Sequence, residues 1–181
     1  MATAAEGGPM TVARIDVVHA YERPRDPAAP RLFLAGPTPR SGDVPSWRPE
    51  ALDTITRTWA SGPLTVLNPE PRGAFSDDYT DQYEWEFEHL EAADVIMFWV
   101  ARRMDGMPAL TTNIEWGHYC KSGRAVMGAP PWGERTRYMQ HQARRYGVPV
   151  ASTLEDTVRA SYALLAQRRA DTGSSLAQRQ P

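Results

Sequence analysis

The sequence predicts an α/β fold in which an open, mostly parallel sheet is covered by helices on both faces. Short apolar runs alternate with helical patterns along the chain, and this alternation is typical of such folds. The run DVIMFWV (94–100) shows no polar alternation, as expected of a central strand covered on both sides. Ligands of these folds bind beyond the carboxyl ends of the strands, so functional residues are expected just after them.

Five runs are predicted to form the sheet, at residues 31–36, 64–68, 94–100, 124–128 and 147–152. A further run, RIDVV at 14–18, is compatible with an edge strand. Helices are predicted at residues 47–59, 82–93, 112–121 and 154–168. Ser46 and Pro49 indicate the start of the first helix, and Gly123 follows the end of the third.

The length of 181 residues suits one domain with its own core. We expect this domain to span residues 13–168. Residues 1–12 are small and flexible, and residues 169–181 are polar, so both segments are expected to be disordered.

Composition argues against several classes of function. Lysine and arginine number 20 against 22 acidic residues, for a net charge of -2, whereas proteins that bind nucleic acid or membrane surfaces usually carry a basic excess. Cys120 is the only cysteine, so no internal disulfide can form and a reducing compartment is expected. No signal-peptide pattern is present, and the longest apolar stretch is too short to span a bilayer. We expect a cytoplasmic protein with a small-molecule partner, without nucleic acid or membrane.

The loop AGPTPRSGD (35–43), which follows a predicted strand, is a candidate ligand-binding segment. Gly36 permits close approach of the backbone, and Arg40 is placed to meet an anion at the start of the next helix. The loop has neither the GxGxxG pattern nor the GK[ST] of a phosphate-binding loop. A Gly-Pro turn with a solvated arginine explains it equally well.

Two glutamates are candidates for acid–base chemistry. Thr112 and Glu115 have the spacing of a capping box, in which both side chains satisfy backbone N–H groups at a helix start, so capping alone would explain Glu115. Gln82 and Glu86 share one helix face because they lie four residues apart. In a right-handed βαβ unit the start of that helix faces the carboxyl edge of the sheet, which makes Glu86 the best second carboxylate.

The Glu-x-x-His spacing of di-iron helical bundles occurs twice in the sequence, as Glu86 with His89 and as Glu115 with His118. Such a site also needs two further helices that each supply a glutamate, and the strand-like runs contradict an all-helical bundle. We therefore expect no metal and no cofactor. A serine or cysteine nucleophile is not indicated either, because G-x-S-x-G is absent and Cys120 lies mid-helix.

Four segments carry a resemblance to a known family: FLAGPTPR (33–40), QYEWE (82–86), AADVIMFW (92–99) and LTTNIEWGHYCKSG (110–123). In order and spacing, the chain resembles the nucleoside 2-deoxyribosyltransferase-like family over most of residues 31–130. The resemblance implies a flavodoxin-like, Rossmann-like three-layer sandwich with a mostly parallel five-stranded sheet. It also implies cleavage or transfer at the N-glycosidic bond of a nucleoside or nucleotide, by a deoxyribosyltransferase or a hydrolase.

The resemblance places the nucleophile at Glu115, in NIEWG, and the second carboxylate at Glu86, eight positions before Asp94. Ala109 stands where characterised transferases have an acidic residue, with Asp105 nearby. The residues expected to bind substrate are Gly36, Pro37, Arg40, Gln82, Asp105, Thr111, Thr112 and Trp116. Further aromatic candidates for stacking on a base are Trp99 and Tyr79.

Different environments are expected to divide the roles of the two carboxylates. Glu115 at a helix N-terminus should stay ionised, because the helix dipole favours its anion, and it would stabilise or trap an oxocarbenium-like sugar. Glu86 lies among Tyr83, Trp85 and Phe87. It should be desolvated enough to hold the proton that a departing base needs.

Two alternatives stay open for the function. The same glutamate chemistry suits cleavage of the nicotinamide–ribose bond of NAD, and a non-catalytic nucleotide-binding or sensor module would use Glu115 only to hold a ribose. For assembly, family analogy and an apolar helical surface around Trp85, Phe87 and Leu90 predict a homo-oligomer, at least a dimer.

Overall fold

The computed structural model describes residues 14–40 and 42–177. Its strands are Ile15–His19 (β1), Arg31–Ala35 (β2), Leu64–Asn68 (β3), Val95–Trp99 (β4), Ala125–Gly128 (β5) and Val150–Ala151 (β6). Its helices are Arg48–Thr58 (α1), Tyr79–Ala92 (α2), Leu110–Tyr119 (α3), Arg137–Arg145 (α4) and Leu154–Ala177 (α5). The segment 1–12 that was expected to be disordered lies outside the described residues.

The described strands form one parallel sheet in the order β1-β3-β2-β4-β5-β6. From β3 to β6 this is the flavodoxin-like strand order, with β1 added outside β3. The predicted α/β fold is confirmed, but the count of five strands is wrong. β1 pairs with β3 along its whole length, from Ile15 opposite Leu64 to His19 opposite Asn68. As an edge strand it is only partly buried, so its sequence carries a weaker apolar signal.

Helices cover both faces of the sheet and so make three layers. α1 and α5 pack on one face, where Ile55 and Val158 belong to one buried cluster. α2, α3 and α4 pack on the other face, where Trp85, Trp116 and Met139 belong to a second cluster. Because both faces are covered, β3 and β4 are buried at every residue, as the missing alternation predicts.

The helices next to the sheet's carboxyl edge begin earlier than the sequence predicts. α2 begins at Tyr79, after Asp78 accepts a hydrogen bond from the backbone N–H of Thr80 at 2.8 Å. α3 begins at Leu110, before Thr112. The residue before it, Ala109, has left-handed backbone angles and makes no side-chain cap, so no capping pattern marks this helix start in the sequence.

The C-terminal helices also differ from the prediction. The sequence pattern misses α4, because this helix is mostly polar and buries only Met139 and Ala143. α5 continues past Arg168 to Ala177, so the tail predicted to be disordered from residue 169 begins inside a helix. None of the described helices has the length and apolar character needed to cross a membrane.

The connections after β2 and β4 leave these neighbouring strands in opposite directions. β2 leads through α1 to β3 on one side, and β4 leads through α3 to β5 on the other. In a doubly wound sheet, a crevice opens at such a point beyond the carboxyl ends of the strands. The fold therefore predicts a ligand site between the loops that follow β2 and β4.

Gly128, the last residue of β5, is predicted to be intolerant of any side chain. A methyl group there would lie 2.1 Å from Oγ1 of Thr157 on α5 and 2.6 Å from the ring of Trp99. Gly128→Ala is expected to lower the free energy of unfolding by about 2 kcal/mol because of this overpacking. Urea denaturation measures the change.

Gly117→Ala on α3 is the matched control, because nothing lies within 4 Å of the added methyl group. Removing a helical glycine should raise the free energy of unfolding by about 0.5–1 kcal/mol. Unchanged stability in Gly128→Ala would contradict the packing of β5 against α5.

Candidate active site

A cavity of about 410 Å³ lies at the carboxyl ends of β2 and β3, between α2 and the N-terminal part of α3. Its volume is in the range of pockets that hold small organic ligands. The loop after β2 contributes Gly36, Pro37 and Arg40 to the lining, α2 contributes Gln82 and Glu86, and α3 contributes Thr111, Thr112 and Glu115. These residues come from three separate parts of the sequence, and the fold brings them together at the expected point.

Two of the predicted substrate-binding residues do not line this cavity. Trp116 is 1% exposed, packs edge-on against Phe98 with ring centroids 5.2 Å apart, and donates from Nε1 to Oε1 of Gln142 at 2.9 Å. Adjacent residues of a helix point in different directions, so Trp116 faces the core while Glu115 faces the cavity. Asp105 is exposed on the loop after β4.

Of the two further aromatic residues predicted to stack on a base, one lines the cavity and the other does not. Trp99 is buried in the core at the end of β4, whereas Tyr79 is 70% exposed and lines the cavity. Phe75, which the sequence does not single out, lines the same part of the cavity and is half-exposed. An aromatic surface for a planar ligand is therefore present, but it comes from the segment that leads into α2.

Gly36 begins the wall that follows β2. A side chain at this position would lie 2.4 Å from the backbone oxygen of Trp99 and 2.8 Å from the ring of Trp47. Trp47 also donates from its indole Nε1 to the carbonyl oxygen of Pro37 at 3.0 Å. The close backbone approach expected of Gly36 is thus present, and it is made to the end of β4.

A buried ion pair that the sequence does not predict lies beside the cavity. Arg48, the first residue of α1, is 1% exposed, and its Nη1 lies 2.9 Å from Oε1 of Glu70, which follows β3. Charged side chains are rarely buried without a partner. Its partner is 22 positions away, so in the sequence Arg48 looks like an ordinary charged residue at a helix start.

Glu86 is held from its own helix. Gln82 donates from Nε2 to the carbonyl oxygen of Pro69 at 3.0 Å and to Oε1 of Glu86. Burial raises the pKa of Glu86 above its ordinary value, and the hydrogen bond from Gln82 and the charge of Arg48 oppose that rise. The direction agrees with the expectation that Glu86 is desolvated.

Glu115 is not a helix cap. α3 begins at Leu110, so Glu115 lies beyond the first turn, where free N–H groups and the helix dipole have little effect. Burial and the nearby charge of Glu86 raise the pKa of Glu115 to about 7, and the charge of Arg48 opposes them. The capping interpretation is wrong, because the helix starts five residues before Glu115. The helix dipole also does not hold the pKa of Glu115 down as expected, because burial raises it.

Glu86 and Glu115 titrate as a coupled pair of carboxyl groups. Two interacting carboxylates in a partly buried site resist simultaneous ionisation. With the pKa of Glu115 at about 7, this carboxyl group is about half protonated near neutrality, and its titration is coupled to that of Glu86. A protonated and an ionised carboxyl group can therefore coexist in this cavity near neutral pH.

The Glu-x-x-His pairs form no metal centre in the described part of the chain. His89 stacks on Trp85 with ring centroids 4.1 Å apart, and its Nδ1 lies 2.8 Å from the carbonyl oxygen of Trp85. His118 is exposed, with Nε2 4.0 Å from Oε1 of Glu91. No group of three or more His, Cys, Asp or Glu residues among the described residues is arranged to hold a metal ion.

A family model described as nucleoside 2-deoxyribosyltransferase like matches residues 29–132. The chain belongs to the nucleoside 2-deoxyribosyltransferase-like family. The matched segment of this family member runs from just before β2 to just beyond β5 and includes Glu86 and Glu115. The match confirms the resemblance carried by the four motifs and indicates glycosyl transfer on a nucleoside. No curated protein matches the chain at a significant level.

The stability of this nucleoside 2-deoxyribosyltransferase-like protein is predicted to depend on pH through Glu115. The folded protein binds the Glu115 proton more tightly than the unfolded chain, whose carboxyl pKa is near 4.5. The free energy of unfolding should therefore fall as pH rises from about 4.5 to about 7, because only the folded state still holds the proton in that window. Urea denaturation at both ends of the window measures this fall.

Glu115→Gln should show a smaller fall than the wild type, because the titrating group is gone. Glu84→Gln, at an exposed position on α2, is the control and should retain the wild-type fall. The same pH dependence in all three proteins would show that the Glu115 pKa is not raised.

Proposed function

We propose that the protein cleaves the N-glycosidic bond of a nucleoside or nucleotide, with Glu115 as nucleophile and Glu86 as acid and base. One observation carries the proposal. The two carboxylates enter one cavity from α3 and α2, close enough for the charge of Glu86 to raise the pKa of Glu115. Retaining glycosyl transfer uses two carboxylates in these two roles.

The chemistry divides into two steps. A carboxylate oxygen of Glu115 attacks C1′ of the sugar while the C1′–N bond breaks and leaves its electron pair on the base. Glu86 gives its proton to the departing base. Water, or the N–H of a second base, then attacks C1′, its proton passes to Glu86, and the ester bond to Glu115 breaks. Water gives hydrolysis, and a second base gives transfer.

Substrate is needed to move the shared proton onto Glu86. Within the protein itself, the hydrogen bond from Gln82 favours the anion of Glu86, and no described residue donates a hydrogen bond to Glu115. A sugar that develops positive charge beside Glu115 favours the anion of Glu115 instead. The pair therefore becomes correctly protonated as the transition state forms.

Other parts of the cavity match the other parts of a nucleotide. Phe75 and Tyr79 offer exposed rings on which a base can stack. Arg40 and the first turn of α3, at Thr111 and Thr112, line the cavity and suit an anionic group such as a 5′-phosphate. Asp105 has no part in this arrangement.

Two further elements complete the proposal. The chain is proposed to work as one domain over residues 13–168. A cytoplasmic location is proposed as well, because its one cysteine, Cys120, is buried and unpaired, which suits a reducing compartment.

Product analysis separates the proposal from its alternatives. The protein is incubated with deoxynucleosides, nucleoside monophosphates or NAD, with and without an added free base, and the products are separated by chromatography. Release of free base indicates a hydrolase, and exchange with the added base indicates a transferase. Conversion of NAD alone indicates an NAD glycohydrolase, and a bound nucleotide that never changes indicates a sensor module.

Glu115→Gln is predicted to lower turnover of the converted substrate by a factor on the order of a thousand, because charge stabilisation of the transition state is lost. Glu84→Gln should keep wild-type turnover. Glu86→Gln should lose less with a substrate such as NAD, whose nicotinamide leaves without protonation. Steady-state rates of the three variants give the comparison, and wild-type turnover by Glu115→Gln would rule out the nucleophile.

A homo-oligomer is also proposed, through a surface that differs from the predicted one. Trp85 and Leu90 are 5% and 4% exposed, because they lie on the inward face of α2. The exposed aromatic side chains of α2 are Tyr79, Tyr83 and Phe87. They are spaced at intervals of four residues and therefore lie on one face of the helix. Tyr83 and Phe87 stack with ring centroids 6.2 Å apart, and exposed apolar surface of this kind marks interaction sites.

Light scattering is expected to give at least twice the 20.2 kDa of one chain. Tyr83→Glu should shift the mass towards the monomer, because a charge would then lie on the aromatic surface. Tyr138→Glu, at an exposed position on α4, should leave the mass unchanged. A 20.2 kDa species of the wild type at high protein concentration would contradict the proposal.

A further inference from the structure

Arg48 makes an unusual number of contacts with the wall of the cavity. Its guanidinium donates from Nε to the carbonyl oxygen of Leu34 at 3.3 Å, from Nη2 to that of Gly36 at 2.8 Å, and from Nη1 to that of Pro37 at 3.3 Å. These carbonyl groups run from the end of β2 into the loop that lines the cavity. The guanidinium therefore holds the wall through its backbone.

The same guanidinium connects this wall to the loop after β3. Nη1 also donates to Oγ1 of Thr38 at 3.2 Å and to Oε1 of Glu70 at 2.9 Å. Glu70 is fixed in turn, because Ser46 donates from its hydroxyl to both carboxylate oxygens at 2.9 Å. Nη1 has two N–H groups for its three acceptors, so one of these hydrogen bonds is shared. The planar guanidinium still reaches acceptors on both loops, whereas the single ammonium of a lysine cannot.

Arg48 also carries the buried positive charge of the site. Arg48 lines the same cavity as Glu86 and Glu115, and its charge opposes the rise in the pKa of both carboxyl groups. Burial lowers the pKa of Arg48 itself, and Glu70 opposes this effect most strongly. The other charged residues around the cavity are Glu70 after β3, Glu86 on α2, Glu115 on α3, and Arg40 and Asp77 on exposed loops.

We propose that Arg48 is the positioning residue of this site: it holds residues 36–38 as the cavity wall and supplies a fixed positive charge beside the two carboxyl groups. The part that concerns turnover rests on the function proposed above. The part that concerns charge does not, because it predicts how Glu115 titrates whether or not the protein turns over any substrate.

Replacing either Arg48 or Glu70 breaks their ion pair, but the two replacements change the charge near Glu115 in opposite ways. The comparison therefore distinguishes an effect of the Arg48 charge from an effect of lost structure. Arg48→Gln removes the cation, so the carboxylates lose a stabilising charge and the titration midpoint of Glu115 should move to higher pH. Glu70→Gln removes an anion and leaves the cation, so the midpoint should move to lower pH. Loss of structure alone would not move the midpoint in opposite directions.

The midpoint is read by NMR on protein labelled with ¹³C in the glutamate carboxyl groups. The Glu115 signal is assigned by its absence in Glu115→Gln. Opposite shifts in Arg48→Gln and Glu70→Gln support the proposal, and an unmoved midpoint, or shifts in the same direction, would overturn it. If Arg48→Gln does not fold, Glu70→Gln is compared with Ser46→Ala, which loosens Glu70 but keeps its charge. A lower midpoint in Glu70→Gln but not in Ser46→Ala supports the proposal, and equal midpoints in the two variants would overturn it.

Arg48→Lys tests the positioning role. It keeps the positive charge but not the fork, so the Glu115 midpoint should stay closer to the wild-type value than in Arg48→Gln. Turnover at saturating substrate should fall by a factor on the order of a hundred, as expected when a site is displaced slightly. Wild-type turnover in Arg48→Lys would contradict positioning. Absence of turnover in the wild type would count against the proposed function only, because the titration would still report on Arg48.

Discussion

The parallel pairing of β2 with β4 is the constraint on which the rest of the site depends. The two strands lie side by side from Leu32 opposite Val95 to Ala35 opposite Phe98, yet their onward connections lead to opposite sides of the sheet. The cavity lies where the chain diverges, at the carboxyl edge. α2 and α3 pack on the same face of the sheet, so each brings one glutamate to this point.

Burial determines the protonation of Glu86 and Glu115. In water both would be ionised at neutral pH, and neither could donate a proton. Inside the cavity, desolvation and mutual repulsion raise the pKa of Glu86 and Glu115, while Arg48 and Gln82 limit the rise for one or both of them. With the pKa of Glu115 at about 7, the protonated and the ionised form of this carboxyl group are both present near neutrality, at a cost in stability that is common at functional sites.

The features that can be predicted from the sequence are local. Apolar runs predict the strands, and motif spacing singles out Glu86 and Glu115. Each of these patterns is made of residues that lie only a few positions apart, so it can be recognised in the sequence. Features that depend on distant parts of the chain are missed. The burial of Arg48 depends on Glu70 in another loop. The position of Trp116 depends on which side of α3 faces the sheet, which a motif in the sequence does not reveal.

A crystal structure of Glu115→Gln with an intact nucleoside tests the central claim most directly, because this variant should bind substrate without consuming it. The account predicts that C1′ lies within roughly 3–3.5 Å of the side-chain oxygen of residue 115. Glu86 should lie about 2.6–3.2 Å from an acceptor atom of the base. A nucleoside bound in this cavity with C1′ out of reach of residue 115, or bound elsewhere on the molecule, would contradict it.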